Sequence, residues 1–126
     1  EEAKKESISI LYSGIGADEV MTTGKYYSYG VGSPKFFPRE LYSIFPWTNF
    51  FRGSMENYLK GDEYVGGCFG FETRYPFCDK DLVQEFLWLK PELKNMYKQY
   101  DLKPALIQYL EKENFPFAYQ KLGFDV

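Results

Sequence analysis

The feature that most restricts the fold is a short apolar run followed at once by a glycine turn and a helix start. Residues 8–12, Ile-Ser-Ile-Leu-Tyr, carry apolar side chains on both faces and stop at Ser13 and Gly14, which predicts a buried parallel β-strand. After the turn, two acidic residues lie in the first turn of a short helix predicted over Ala17–Met21. This order of elements predicts an α/β fold whose ligands bind beyond the carboxyl end of the strand.

Proline and glycine positions divide the next part of the chain. Tyr, Ser, Gly and Pro dominate residues 26–38, which predicts an ordered aromatic loop. Helices are predicted over residues 38–45, between two prolines, and over about residues 48–59, where apolar side chains recur at helical spacing. The glycines within residues 61–70 predict a conformationally permissive stretch after that helix.

The region from residue 71 onward combines charges with large apolar groups. Glu72 and Arg74 stand among aromatic residues, which predicts buried or half-buried ion pairing. Asp79 is predicted to cap a helix that ends before Pro91, and its apolar face consists of Leu82, Val83, Phe86 and Leu87. A further amphipathic helix is predicted to begin near Pro104, and Pro116 ends the regular region.

Length and composition limit the classes of function. The 126 residues amount to one domain. The net charge of -3 comes without a basic run, so no nucleic-acid partner is expected. No apolar stretch reaches the roughly 20 residues that cross a bilayer, so no membrane association is expected and the expected compartment is the cytoplasm.

The shortage of nitrogen and sulfur ligands restricts the chemistry further. The chain has two cysteines and no histidine, which argues against a zinc site and against a histidine-activated nucleophile within this chain. Cys78 lies in an apolar run and is predicted to be a reduced core thiol. Proton transfer by this chain would depend on Asp, Glu, Tyr or Lys.

The glycine turn has the residue types of a phosphate-binding loop. Gly14 and Gly16 allow backbone N–H groups to approach an anion closely, and the helix start that follows favours negative charge. Asp18 is suited to hold Mg²⁺ against phosphates, because magnesium is bound by one or two carboxylates plus substrate oxygens. The alternative interpretation of this segment alone is an ordinary tight turn.

Two later segments extend this pattern to most of the chain. Residues 13–19 read Ser-Gly-Ile-Gly-Ala-Asp-Glu, residues 72–79 read Glu-Thr-Arg-Tyr-Pro-Phe-Cys-Asp, and residues 121–124 read Lys-Leu-Gly-Phe. Together they resemble the asparagine synthetase family, whose synthetase domain carries Ser-Gly-x-Gly-Ala-Asp-Glu, Glu-x-Arg-x-Pro-Phe-Leu-Asp and Lys-x-Gly-Phe in that order. The resemblance implies that residues 1–126 are the C-terminal, mostly helical portion of a pyrophosphatase-loop (adenine nucleotide alpha hydrolase-like) α/β ATPase domain.

The resemblance also implies an activity and roles for individual residues. Members of the family activate a carboxylate with ATP and Mg²⁺, forming an acyl-adenylate and pyrophosphate, and an amine then attacks to give an amide. By position, Ser13, Gly14 and Gly16 would face the nucleotide and Asp18 would bind Mg²⁺. Lys121 would be the catalytic lysine that stabilises developing negative charge.

Other polar residues of these segments have simpler interpretations. Glu72, Arg74 and Asp79 are predicted to shape the pocket wall and to cap a helix, without direct chemistry. Asp62 and Glu63 lie before the second motif, and they are predicted to face the substrate.

The chain departs from the family pattern in two ways. The family's ATP-binding loop, Ser-Gly-Gly-x-Asp-Ser, and its glutamine-hydrolysing domain are not within these 126 residues, so the expected partner is an N-terminal synthetase segment that carries that loop, on the same precursor or on a separate chain. Ile15 stands where asparagine synthetases have Glu and β-lactam synthetases have Tyr. Thr22 and Thr23 replace the usual glycine pair.

These departures leave several interpretations open. The carboxylate substrate is aspartate, a β-amino acid or a peptide, and the amine is unspecified. A degenerate, non-catalytic binding or scaffold module of the same fold is the main alternative, and a coincidental match of the motifs is a third. The chain begins with Glu1 rather than Met, as a cut or processed end would, and an isolated half-domain would expose apolar surface that favours homo-oligomers.

Overall fold

A computed structural model describes residues 5–23, 34–50, 53–95 and 103–116 of the chain. Its strands are β1, Ile10–Tyr12, and β2, Glu72–Arg74. Its helices are α1, Ala17–Met21; α2, Ser54–Cys68; α3, Lys80–Trp88; α4, Pro91–Lys94; and α5, Pro104–Lys112. Short 3₁₀ turns occupy Leu41–Ser43 and Pro76–Cys78.

The two strands bring distant parts of the chain side by side. Within the described residues they form a two-stranded parallel sheet, in which Leu11 lies opposite Thr73. Helix α2 packs against β2 and leads into it: Phe71 N–H donates to the Gly66 carbonyl (2.9 Å), and Glu72 N–H donates to Ser9 (2.8 Å). The sheet therefore joins the segment before the glycine turn to the segment after α2.

Aromatic side chains form most of the core. Val20 and Met21 of α1 pack with four aromatic residues, Phe37, Trp47, Phe50 and Phe86. The Phe37 ring meets the rings of Trp47 and Phe86 edge-to-face, at centroid separations of 5.2 and 5.3 Å, the arrangement that aromatic quadrupoles prefer. Trp47 also donates its indole N–H to the Glu19 carbonyl at 2.7 Å, which fixes α1 to this aromatic core.

Helices with strong local signals lie where they were predicted. Helix α1 has the predicted bounds. The Asp79 side chain accepts hydrogen bonds from the backbone N–H groups of Asp81 (2.9 Å) and Leu82 (3.2 Å) at the start of α3, which confirms its capping role. Helix α5 begins at Pro104, also as predicted.

The two helices predicted between residues 38 and 59 are different in the structure. The first is reduced to the turn Leu41–Ser43, because Glu40 has extended backbone angles (φ -102°, ψ 91°) and cannot belong to a helix. The second begins at Ser54 and continues to Cys68, through the glycines that predicted a permissive stretch. Gly53, which precedes it, has non-helical backbone angles (φ -100°, ψ -130°) and packs closely on the preceding turn, since a Cβ on it would overlap the Thr48 carbonyl.

The predicted burial of the first strand is wrong. Leu11 is 36% exposed and Tyr12 is 69% exposed, although parallel strands are ordinarily covered on both faces. In the described part of the chain, β2 is the only strand that pairs with β1, so much of the surface of β1 is open.

The predicted aromatic loop over residues 26–38 lies mostly outside the described residues, which resume at Pro34. In the segments that the structure describes, no helix is long and apolar enough to span a membrane.

Candidate functional site

The glycine turn between β1 and α1 is held against the second motif. Ser13 N–H donates to the Arg74 carbonyl at 2.8 Å, just past the end of the sheet. Gly14 then accepts from Ala17 N–H (3.3 Å), and Gly16 accepts from Val20 N–H (2.9 Å) as α1 begins. The turn therefore lies at the carboxyl end of a parallel strand, where α/β folds bind ligands.

Gly16 is buried inside the turn, and its surroundings explain why this position is glycine. Its φ is +99°, a conformation that side chains disfavour. A Cβ there would lie 2.6 Å from Cys78 Sγ and 3.3 Å from the Phe77 carbonyl carbon. Its N–H donates to Glu19 Oε2 at 3.0 Å. The predicted anion-facing N–H of Gly16 is thus engaged by a carboxylate of the same turn.

Gly14 has the opposite surroundings. It is exposed, and a Cβ added to it would meet no atom within 4 Å. A bulky group such as a phosphate can therefore approach the backbone closely at this position.

The thiol of Cys78, in the second motif, contacts the glycine turn of the first motif. Its Sγ lies 3.8 Å from the Ile15 carbonyl oxygen and 3.9 Å from Met55 Sδ. The cysteine is free and half-buried, in agreement with the predicted reduced thiol. Burial, and to a lesser degree the negative charge of Glu19, raises the pKa of Cys78, which keeps the thiol protonated and unreactive.

Asp18, the predicted Mg²⁺ ligand, is on the first turn of α1 and pairs with a lysine. Lys103 Nζ lies 2.6 Å from Asp18 Oδ1, and Thr22 Oγ1 donates to the same oxygen at 3.2 Å. The Asp18 side chain is 43% exposed, so solvent and ions reach it. Among the residues that the structure describes, no group of three His, Cys, Asp or Glu side chains could hold a metal ion, so Mg²⁺ at Asp18 would need oxygens from a ligand.

Asp62 of α2 also reaches the turn. Ser13 Oγ donates to Asp62 Oδ2 at 2.7 Å and accepts a weak hydrogen bond from Ile15 N–H at 3.3 Å. Ser13 therefore links the end of β1 to α2. The sequence predicted that Asp62 faces the substrate, but it gave no sign of the contact with Ser13. The contact was missed because α2 was predicted to end before Asp62.

A cleft opens beside the Ser13–Asp62 pair. It has a volume of about 390 Å³ and lies between β1, α2 and the segment that leads into β2. Both polar side chains line it, together with Leu11, Tyr12, Val65, Gly66, Phe69, Phe71 and Thr73. A mostly apolar cavity of this size with a few polar groups is typical of small-molecule sites.

Tyr75 adds a neutral hydroxyl near the carboxylates of Asp62 and Glu63. Its oxygen is buried, and the described residues offer it no hydrogen-bond partner in suitable geometry. Burial and then the negative charge of Glu63 raise the pKa of Tyr75 to about 12, with a smaller effect from Asp62. The phenol therefore stays protonated at neutral pH, chiefly because it is buried.

The ion pair predicted inside the second motif lies on the surface. Arg74 Nε is 2.6 Å from Glu72 Oε1, but the two side chains are 48% and 60% exposed. The prediction of buried or half-buried pairing is wrong, because side chains two residues apart on a strand point to the same face, and the face that Glu72 and Arg74 share is exposed to solvent.

The third motif, residues 121–124, lies outside the described residues. The predicted catalytic role of Lys121 therefore stays a prediction. Comparison of the chain with protein-family models, with curated proteins and with solved structures found no match.

Proposed function

We propose that this chain is part of an ATP-dependent ligase that activates a carboxylate by adenylation and joins it to an amine as an amide. The proposal rests on the resemblance of three ordered motifs to the asparagine synthetase family. One observation of the structure carries it: the first two motifs, about sixty residues apart in sequence, meet at the carboxyl end of a parallel sheet. Ser13 N–H donates to the Arg74 carbonyl, and Gly16 packs against Phe77 and Cys78.

The residues at this turn fit a nucleotide and a magnesium ion. The open space beside Gly14 admits a phosphate, and Asp18 provides a solvent-accessible carboxylate at the start of α1. When bound, ATP supplies the adenylyl group and Mg²⁺ neutralises phosphate charge. The ATP-binding loop itself would come from the N-terminal synthetase segment, as a separate chain or on the same precursor.

Each residue of the turn has a distinct part in this proposal. Ser13 and Gly14 face the nucleotide. Asp18 would hold the metal in place of its ion pair with Lys103, and the Lys103 ammonium group would add positive charge near the turn. Gly16 shapes the turn from inside rather than donating to the ligand, and Lys121 stabilises negative charge that develops in the transition state.

The experiment is a pyrophosphate-release assay on the protein completed by the segment that carries the Ser-Gly-Gly-x-Asp-Ser loop. ATP, Mg²⁺ and a series of carboxylates are supplied, namely aspartate, a β-amino acid and a peptide. We expect release with at least one of them and a loss of about 100-fold in the Asp18→Asn and Lys121→Ala variants. Asp81→Asn is the matched control, because that side chain is 83% exposed. Unchanged release in both test variants would contradict the assigned roles.

A non-catalytic binding or scaffold module is the second candidate, and the ion pair of Asp18 with Lys103 at 2.6 Å favours it. In such a module the lysine neutralises Asp18 permanently, and Ile15 in the turn has no chemical role. This candidate predicts that ATP with Mg²⁺ leaves the melting temperature of the completed protein unchanged and that no carboxylate yields pyrophosphate. An ATP-dependent amide product would eliminate it.

A further inference from the structure

We propose that the cleft between β1 and α2 binds the amine substrate, and that this substrate is a primary amine with an apolar or aromatic substituent. The inference rests on the proposed function and names a substrate class that the motifs leave open. It comes from the position of one carboxylate, Asp62, in a mostly apolar cleft.

Asp62 is held in place at the end of the cleft nearest the glycine turn. Its Oδ2 accepts the Ser13 hydroxyl at 2.7 Å, and its side chain lines the cleft. The side chain is half-buried. A partly desolvated carboxylate with one fixed hydrogen bond is a strong acceptor for an ammonium group.

The remaining walls select the rest of the ligand. Leu11 of β1, Val65 of α2 and the rings of Phe69 and Phe71 line the cleft. Val65 is 56% exposed and Phe69 is 53% exposed, so a ligand in the cleft would remove their apolar surface from water. Each Å² of apolar surface buried contributes about 25 cal/mol, which favours an amine with a hydrocarbon or aromatic group over ammonia.

Charge decides which of the two substrates occupies the cleft. Glu63 follows Asp62 on α2, and their negative charges contribute to the raised pKa of Tyr75. These two negative charges would repel a substrate carboxylate and attract an ammonium group. At the turn, by contrast, Lys103 balances the charge of Asp18, so we assign the carboxylate to be activated to the turn near Gly14 and the amine to the cleft.

Ser13 connects the two positions. Its backbone N–H holds the turn to Arg74, and its hydroxyl holds Asp62 at the cleft. An amine bound to Asp62 is thus next to the turn that faces the activated carboxylate. This adjacency is what an amide-forming site requires of its two substrates.

The first test measures binding without ATP, by titration calorimetry of the full chain with phenethylamine and with its neutral analogue 2-phenylethanol. We expect phenethylamine to bind at least about tenfold more tightly, because a hydrogen bond between two charged groups is stronger than one between neutral groups. Asp62→Asn should remove this preference, since the amide still accepts the Ser13 hydroxyl but carries no charge. Asp81→Asn should keep it.

A second variant tests the cleft itself. Val65→Trp fills the space from an exposed position of α2 and should weaken binding of both probes by about tenfold or more, with unchanged helicity by circular dichroism. Equal affinity of the two probes, or an unchanged phenethylamine affinity in Asp62→Asn, would overturn the proposal.

Failure of this proposal can be separated from failure of the proposed ligase. If the completed protein releases pyrophosphate with a carboxylate but phenethylamine binds no better than 2-phenylethanol, the ligase stands and the cleft assignment is wrong. If phenethylamine binds through Asp62 but no carboxylate yields pyrophosphate, the amine site stands and the ligase assignment is wrong.

Discussion

At the scale of single residues, the two glycines of the turn have different reasons to be glycine. Gly16 is required by its φ of +99° and by the proximity of Cys78, whereas Gly14 has open space beside it. The sequence placed both in a phosphate-facing loop, because the residue type alone does not distinguish a packing requirement from an approach path. The structure assigns Gly16 to the interior of the turn.

Gly16→Ala should lower the free energy of unfolding by about 2–4 kcal/mol, because it combines left-handed backbone strain with a clash against the second motif. Gly14→Ala should change it by less than about 0.5 kcal/mol. Urea unfolding of the two variants measures the difference. The double variant Gly16→Ala/Cys78→Ala separates the causes: it should recover the part due to the clash and keep the part due to φ. Equal stability of the two single variants would contradict the described packing.

At the scale of elements, local signals and distant contacts account for what was and was not predicted. Helices α1, α3 and α5 were predicted because their starts are marked in the sequence, by a glycine turn, by the Asp79 cap and by Pro104. The bounds of α2 were predicted wrongly, because its glycines indicated a permissive stretch, whereas the helix continues through them. Strand β2 was not predicted, since its three residues, Glu-Thr-Arg, have little apolar pattern and depend on pairing with β1.

Helix α2 tolerates its glycines for different reasons along its length. A Cβ on Gly66 would overlap Thr73 Oγ1, so this glycine allows the helix to lie close to β2. A Cβ on Gly61 would meet no atom within 4 Å, so Gly61 has no packing role among the described residues. Close packing at one position therefore sets the distance between helix and sheet.

Gly61→Ala should stabilise the protein by about 0.5–1 kcal/mol, the helix-propensity difference between the two residues. Gly66→Ala should destabilise it by about 1–3 kcal/mol, because Thr73 must move. The two variants make the same chemical change in one helix, so each is the control for the other in chemical denaturation. A similar gain in stability from both would show that α2 does not need close contact with β2.

At the scale of the whole molecule, one buried lysine connects stability to pH. Lys94 is 2% exposed, donates to the Leu87 carbonyl at 3.0 Å and lies over the rings of Phe37 and Phe86, 5.6 and 5.8 Å from their centroids. Burial lowers the pKa of Lys94 from its ordinary value of 10.5. Just below pH 10.5, the Lys94 side chain is therefore more fully protonated in the unfolded chain than in the folded chain.

The contribution of Lys94 to the free energy of unfolding should consequently rise with pH as pH approaches 10.5 from below. The raised pKa of Cys78 and of Tyr75 lowers the free energy of unfolding at high pH. The effect of Lys94 is therefore measured as the difference between the wild-type chain and Lys94→Met, a side chain of similar shape without the charge. Unfolding free energies at about pH 7 and about pH 10 give this difference. Lys80→Met is the control, since that side chain is 90% exposed. A difference that stays constant with pH would mean that Lys94 titrates normally.

The parallel pairing of β1 with β2 also joins segments that lie far apart in the chain. To bring Leu11 opposite Thr73, the chain must close a loop of about sixty residues, an entropic cost that grows with the logarithm of loop length. Helices such as α2 and α3 depend on near neighbours in sequence, so we expect them to form before this pairing. We therefore expect the glycine turn and the cleft, which depend on this pairing, to be completed after the helices.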